Sequence, residues 1–154
     1  MAFEAIIALF FHFGLFGLLV SSFLSALVFI PGYSSFLIPI FVKLKFNPWI
    51  ILAVLSAGAI AGEFVNYYLG VVGSKYVYHK KIKDAEKWLN RWGEYAVFIV
   101  NLIPFFPADF LNVLVGFLKM DRNKFLVGMT LGKILQYFFL IFSIRFVFSY
   151  LNFI

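Results

Sequence analysis

Apolar residues run along the chain in five blocks, at about 5–30, 33–42, 48–73, 95–118 and 125–150, with short polar interruptions between them. From Ala5 to Val42 the only side chain able to carry charge near neutral pH is His12, and that run alone exceeds the about 20 residues a helix needs to cross a bilayer. The pattern predicts helices throughout. Two of them are broken, one by Pro31-Gly32 and one by Pro104 and Pro107 in Ile103-Pro104-Phe105-Phe106-Pro107-Ala108-Asp109. Prolines three residues apart remove backbone donors and clash with the preceding turn, so a regular helix ends there. Backbone groups freed at bilayer depth must be paired inside protein or face a water-filled cavity. A kinked but continuous span over 95–118 is the alternative.

The polar interruptions suggest how the blocks are threaded. Basic residues gather at Lys75, Lys80, Lys81, Lys83, Lys87 and Arg91, and again at Lys119, Arg122 and Lys124, as in cytoplasmic loops. With both loops on one side, 95–118 enters and returns as a re-entrant hairpin with its tip at Pro104–Pro107. Pro31-Gly32 is then the tip of a matching hairpin from the other side, and 48–73 and 125–150 cross fully and antiparallel. The expected fold is all-α, an inverted repeat of two opposed re-entrant helical hairpins with transmembrane helices. Its parts are a first half at 1–73, a cytoplasmic amphipathic linker at 74–94 and a second half at 95–154. In the linker Trp88 and Trp92 share a face beside Lys and Arg, which suits a helix at headgroup level or a plain surface helix.

Composition agrees. The chain is 64% hydrophobic and 13% charged, with a mean hydropathy of +0.98, whereas soluble domains carry about a quarter charged residues. All 154 residues form one multi-pass domain, expected in the cell membrane. The N-terminal run lacks a basic start and is too long for a cleaved signal, so it is expected to be retained. The net charge of +6 flanks spans instead of covering a solvated face, so nucleic acid is not an expected partner. Without cysteine there are no disulfides or thiolate metal sites.

A polar signature occurs twice in the long blocks. Gly58-x3-Gly62-Glu63-x2-Asn66-Tyr67 and Gly128-x3-Gly132-Lys133-x2-Gln136-Tyr137 match at five positions, 70 residues apart, with the charge inverted. A duplicated unit with ionisable groups in lipid-length sequence points to a transporter-like protein. Glu63 and Lys133 lie about ten and nine residues from the basic loops, roughly 15 Å from one surface. Equal depth on antiparallel spans permits an ion pair, which either locks the halves together or serves transport. Gly58, Gly62, Gly128 and Gly132 are expected at close helix contacts. Asn66, Asn101, Asn112 and Gln136 either line a polar cavity or bond between helices. Asp109 is placed to cap the second arm of its hairpin, or else to meet a proton or a headgroup amine. Arg145 is expected to snorkel to the interface. His12 and His79 stand alone, and no metal-ligand spacing or nucleophile–base pair appears, so neither an enzyme nor a cofactor is expected.

Gly62-Glu63-x3-Tyr67-x2-Gly70-x2-Gly73 resembles the Gly-acid-x3-Tyr-x2-Gly-x2-Gly signature of the DedA/VTT (SNARE-associated) family. Asn101-x2-Pro104-x2-Pro107-x4-Asn112-x3-Gly116 is similar to a stretch of its VTT branch, and Phe125 to Tyr137 fits the family's Phe…Gly-Lys ending. The resemblance covers about residues 28–140. It implies opposed re-entrant hairpins and movement of lipids or lipid-linked carriers between leaflets, that is, a scramblase or lipid-carrier flippase. The expected partners are membrane lipids, anionic or polyprenyl-linked ones among them, with homo-oligomerisation left open. Tyr33 stands where the family has glutamate, and Asn101 and Pro107 where it has arginines. Those charges are associated with proton-linked transport in the family. A proton- or ion-coupled solute transporter and a membrane scaffold factor are the competing functions.

Overall fold

The computed structural model describes residues 2–27, 33–76, 82–104, 106 and 108–151, and these contain helix and turn but no strand. The helices are α1 (Ala2–Leu27), α2 (Ile38–Lys43), α3 (Pro48–Gly73), α4 (Ile82–Leu102), α5 (Ala108–Phe117) and α6 (Arg122–Tyr150). Tyr33–Leu37 and Ser74–Tyr76 form 3-10 turns. α1 is divided by a kink at Gly14, whose φ of 48° and ψ of −124° a residue with a Cβ would adopt only under strain. Residues 82–94 continue into 95–102 as a single helix, so the amphipathic stretch and the first arm of the second half are one element.

α3 and α6, of 26 and 29 residues, are the described helices long and apolar enough to cross a membrane. They run antiparallel. Trp49 at the start of α3 touches Phe138 and Phe142 late in α6, while Tyr67 near the end of α3 stacks on Phe125 in the first turn of α6. α1 packs along α3 and α4 along α6, whereas α2 leans on α6 and α5 on α3. Each short helix thus meets the long helix of the other half.

Glycine makes these approaches possible. A Cβ at Gly58 would lie 2.5 Å from the Leu19 carbonyl oxygen, and at Gly62 2.8 Å from that of Phe23, both in α1. At Gly128 and Gly132 it would meet the Glu94 and Phe98 carbonyl oxygens of α4 at 2.5 and 2.7 Å. All four positions singled out in the sequence are therefore helix-crossing points.

A second repeat escapes a reading based on glycine and charge. Leu44-Lys45-Phe46-Asn47 precedes α3 and Leu118-Lys119-Met120-Asp121 precedes α6. Lys45 and Lys119 both take left-handed backbone, with φ of 59° and 54°. Their N–H groups donate to the Val42 and Gly116 carbonyls, and the next residues, Phe46 and Met120, donate to Phe41 and Val115. A left-handed residue after the last turn lets two amides reach back to orphaned carbonyls. Asn47 then caps α3 by accepting from Trp49 N–H, and Asp121 caps α6 by accepting from Asn123 and Lys124 N–H. The two lysines are 74 residues apart, against 70 for the glycine signature, so α3 has four more residues before its first glycine.

Two apolar clusters divide the core. One joins Leu18, Phe41, Ile51, Leu55, Tyr137 and Ile141, and the other Tyr67, Leu89, Val97, Met120, Phe125 and Met129. Glu63 and Lys133 fall between them along α3 and α6. α4 rises from Gly93, against Met120, to Asn101, against Gly132, and α5 returns until Phe117 meets Gly73. The α4–α5 pair therefore leaves and rejoins one end of the bundle, with Pro104 exposed in the turn. Pro31, Gly32, Pro107 and His79 lie outside the described residues, as does the side chain of His12.

Candidate functional site

Between the apolar clusters lies a layer of buried polar side chains. Glu63, Asn66, Asn101 and Asn112 are fully buried, and Asp109, Gln136 and Lys133 nearly so. Lys133 Nζ lies 2.9 Å from Glu63 Oε1, so the two charges of the repeated signature meet. Glu63 Oε2 accepts from Asn112 Nδ2 at 2.8 Å and Asn66 Nδ2 at 3.2 Å. A carboxylate away from water needs such donors together with a countercharge.

The amides organise the broken helices. Asn66 Nδ2 donates to the Ala26 carbonyl near the end of α1 at 2.9 Å, and Gln136 Nε2 to the Ile103 carbonyl just past α4 at 3.1 Å. Helix ends leave carbonyls without intrahelical partners, and in each half the amide of the long helix supplies one. Asn101 and Asn112 exchange amide hydrogen bonds of 3.2 and 3.1 Å, tying the end of α4 to α5. The residue standing where the family has arginine thus joins a neutral network that ends on Glu63.

Asp109 occupies the first turn of α5 and accepts from its own backbone N–H, while its carboxyl lies within hydrogen-bonding reach of Glu63. Two carboxyl groups and one ammonium therefore share the layer. Asn66 Oδ1 is buried there without a hydrogen-bond partner. Among the described residues no group of histidine, aspartate and glutamate is arranged to hold a metal ion.

Some contributors carry no clear sequence signal. Ser22 Oγ donates to the Leu55 carbonyl at 2.8 Å, pinning α1 to α3. Gly70 and Gly116 sit where α3 and α5 touch backbone to backbone, at Val113 and Tyr67. Both glycines belong to the motifs quoted above, but spacing alone did not pair them. Tyr67 Oη donates to the Met120 carbonyl at 2.7 Å, joining α3 to the turn before α6.

The exterior is the inverse of the interior. Phe110, Phe139, Leu131 and Ile99 are more than half exposed, while Glu63, Asp109 and Lys133 are buried. An apolar surface around a charged centre suits lipid and is costly in water, which defines a helical membrane-associated protein. Residues 30–146, about three quarters of the chain, match the family model of the VTT domain, the domain of DedA/SNARE-associated proteins, and the chain belongs to that family. No curated protein and no solved structure matches it significantly.

Proposed function

We propose that this protein moves polar lipid headgroups between leaflets, as a scramblase or lipid-carrier flippase. The observation that carries this reading is the Glu63–Lys133 layer, set at mid-length of α3 and α6 where α1 and α4 end. The matched elements of the two halves and the antiparallel α3 and α6 support an inverted repeat. In that arrangement α1–α2 and α4–α5 are re-entrant hairpins that enter from opposite faces and thin the hydrocarbon between them. The layer offers a headgroup charges of both signs and the unpartnered acceptor Asn66 Oδ1. Passing a headgroup through such a layer is less unfavourable than passing it through 30 Å of hydrocarbon (a typical core is about that thick).

The test is reconstitution into vesicles carrying headgroup-labelled fluorescent phospholipid in both leaflets, followed by an impermeant quencher. Quenching beyond the outer-leaflet pool supports the proposal, and quenching equal to that of protein-free vesicles overturns it. The Asp109–Glu63 contact favours a second reading, a proton-coupled transporter, because neighbouring carboxyl groups with one countercharge form a place to hold a proton. Solute flux that follows an imposed pH gradient, without lipid exchange, selects that reading. Neither activity would leave a scaffold role.

A further inference from the structure

At the end of the bundle away from Lys75 and Lys119, a cavity of about 150 Å³ is lined by Val42, Lys45, Phe46, Pro48 and Arg145. Its cations come from opposite halves, Lys45 from the turn before α3 and Arg145 from the last turns of α6. Both are exposed, with no carboxylate partner among the described residues, and the remaining walls are apolar. Arg145 thus lines the same apolar pocket as a second cation. Two cations over an apolar floor, at the end of lipid-length helices, suit a phosphate that carries acyl chains better than a free anion.

The duplicated architecture supplies an independent argument. Lys45 corresponds to Lys119, the other left-handed lysine, 74 residues on. Arg145 corresponds to Lys75, 70 residues back, at the end of the other long helix. Each end of the bundle thus carries one left-handed lysine and one basic residue near the C-terminal end of the other half's long helix.

We propose that Lys45 and Arg145 bind the headgroup phosphate of an anionic membrane lipid at one face of the protein. This deepens the lipid-moving reading by naming the group recognised at the membrane surface, but binding can be measured without transport. Trp49 provides a local reporter. It follows Pro48, and its ring contacts Phe142, one turn before Arg145. With Trp88→Phe and Trp92→Phe, Trp49 is the remaining tryptophan of the chain.

The experiment reconstitutes that protein into vesicles of dioleoyl phosphatidylcholine mixed with acyl-brominated phosphatidylglycerol, and into the converse mixture, and reads Trp49 quenching as a relative binding constant. A preference for phosphatidylglycerol of about 25-fold is expected, since each of the two cations contributes about fivefold near the surface. Lys45→Gln with Arg145→Gln should bring it to near one, and Lys45→Arg should keep it. Should the double variant not fold, each single glutamine variant is expected to lower the preference by itself. No preference in the parent protein, or an unchanged preference in the glutamine variants, overturns the proposal. Loss of the preference on adding inorganic phosphate at constant ionic strength also overturns it, since the site would then take a soluble anion. Glu63→Gln with Lys133→Gln should keep the preference even where lipid exchange is lost, so the two proposals can fail separately.

Discussion

Glu63 in α3 and Lys133 in α6 occupy the same register of a duplicated motif, 70 residues apart, and their side chains meet at 2.9 Å in the middle of the protein. The Glu63 carboxylate is fully buried and the Lys133 side chain is 10% exposed. Desolvation offsets much of the attraction in such a pair, so its net contribution is small compared with the penalty for breaking it.

Glu63→Gln alone should therefore destabilise the protein by about 3–5 kcal/mol, because it strands a buried ammonium. Glu63→Gln combined with Lys133→Gln should recover most of that loss. Thermal unfolding in detergent measures stability, and vesicle assays measure flux. If the pair is only a fastener, the double variant regains both. If it serves transport, stability returns and flux does not. Additive losses would show that the two residues do not act together.

The contact between α3 and α5 makes a sharp comparison of two glycines one turn apart. A Cβ at Gly70 would overlap the Val113 carbonyl and approach the Phe117 nitrogen at 2.6 Å, whereas at Gly73 the nearest atom is a Phe117 ring carbon at 3.8 Å. Gly70→Ala should destabilise by about 3 kcal/mol or more, since backbone cannot step aside as a side chain can. Gly73→Ala should be neutral or mildly stabilising. Equal melting temperatures for the two variants would contradict this packing.

Lys119 holds a left-handed conformation without being glycine. Lys119→Gly should stabilise the turn before α6 by about 1 kcal/mol, and Lys119→Val, with its branched Cβ, should destabilise it. The order Gly, Lys, Val in melting temperature is the expected result. Valine equal to lysine would mean that the turn relaxes out of the left-handed region.

In a membrane, single cysteines at Lys75 and Asn123 should react with an impermeant thiol reagent from one side, and a cysteine at Lys43 from the other. All three positions are exposed, whereas neighbouring Ser74 is buried with its hydroxyl donating to the Val71 carbonyl. Labelling of Lys75 and Asn123 positions from opposite sides would make α4–α5 a full crossing and remove the second hairpin.

Much of this arrangement was legible in the sequence because it depends on one-dimensional quantities. Apolar block length implied helices able to cross a membrane, and α3 and α6 match the blocks at 48–73 and 125–150 closely. Register did the same for the ion pair, since residues at equal depth on antiparallel helices are brought level whatever the side-chain detail. The close-packed glycines followed from the same repeat. Tertiary structure alone decided what depends on how each helix is rotated about its axis and on which faces meet. That rotation turns Asp109 toward Glu63, sets Asn101 opposite Asn112, presses Gly70 and Gly116 onto facing backbone, and brings Arg145 to Lys45. Spacing along a chain records depth, but two residues at the same depth touch only if their helices present those faces to each other. Helix crossing settles this through the packing of many side chains at once.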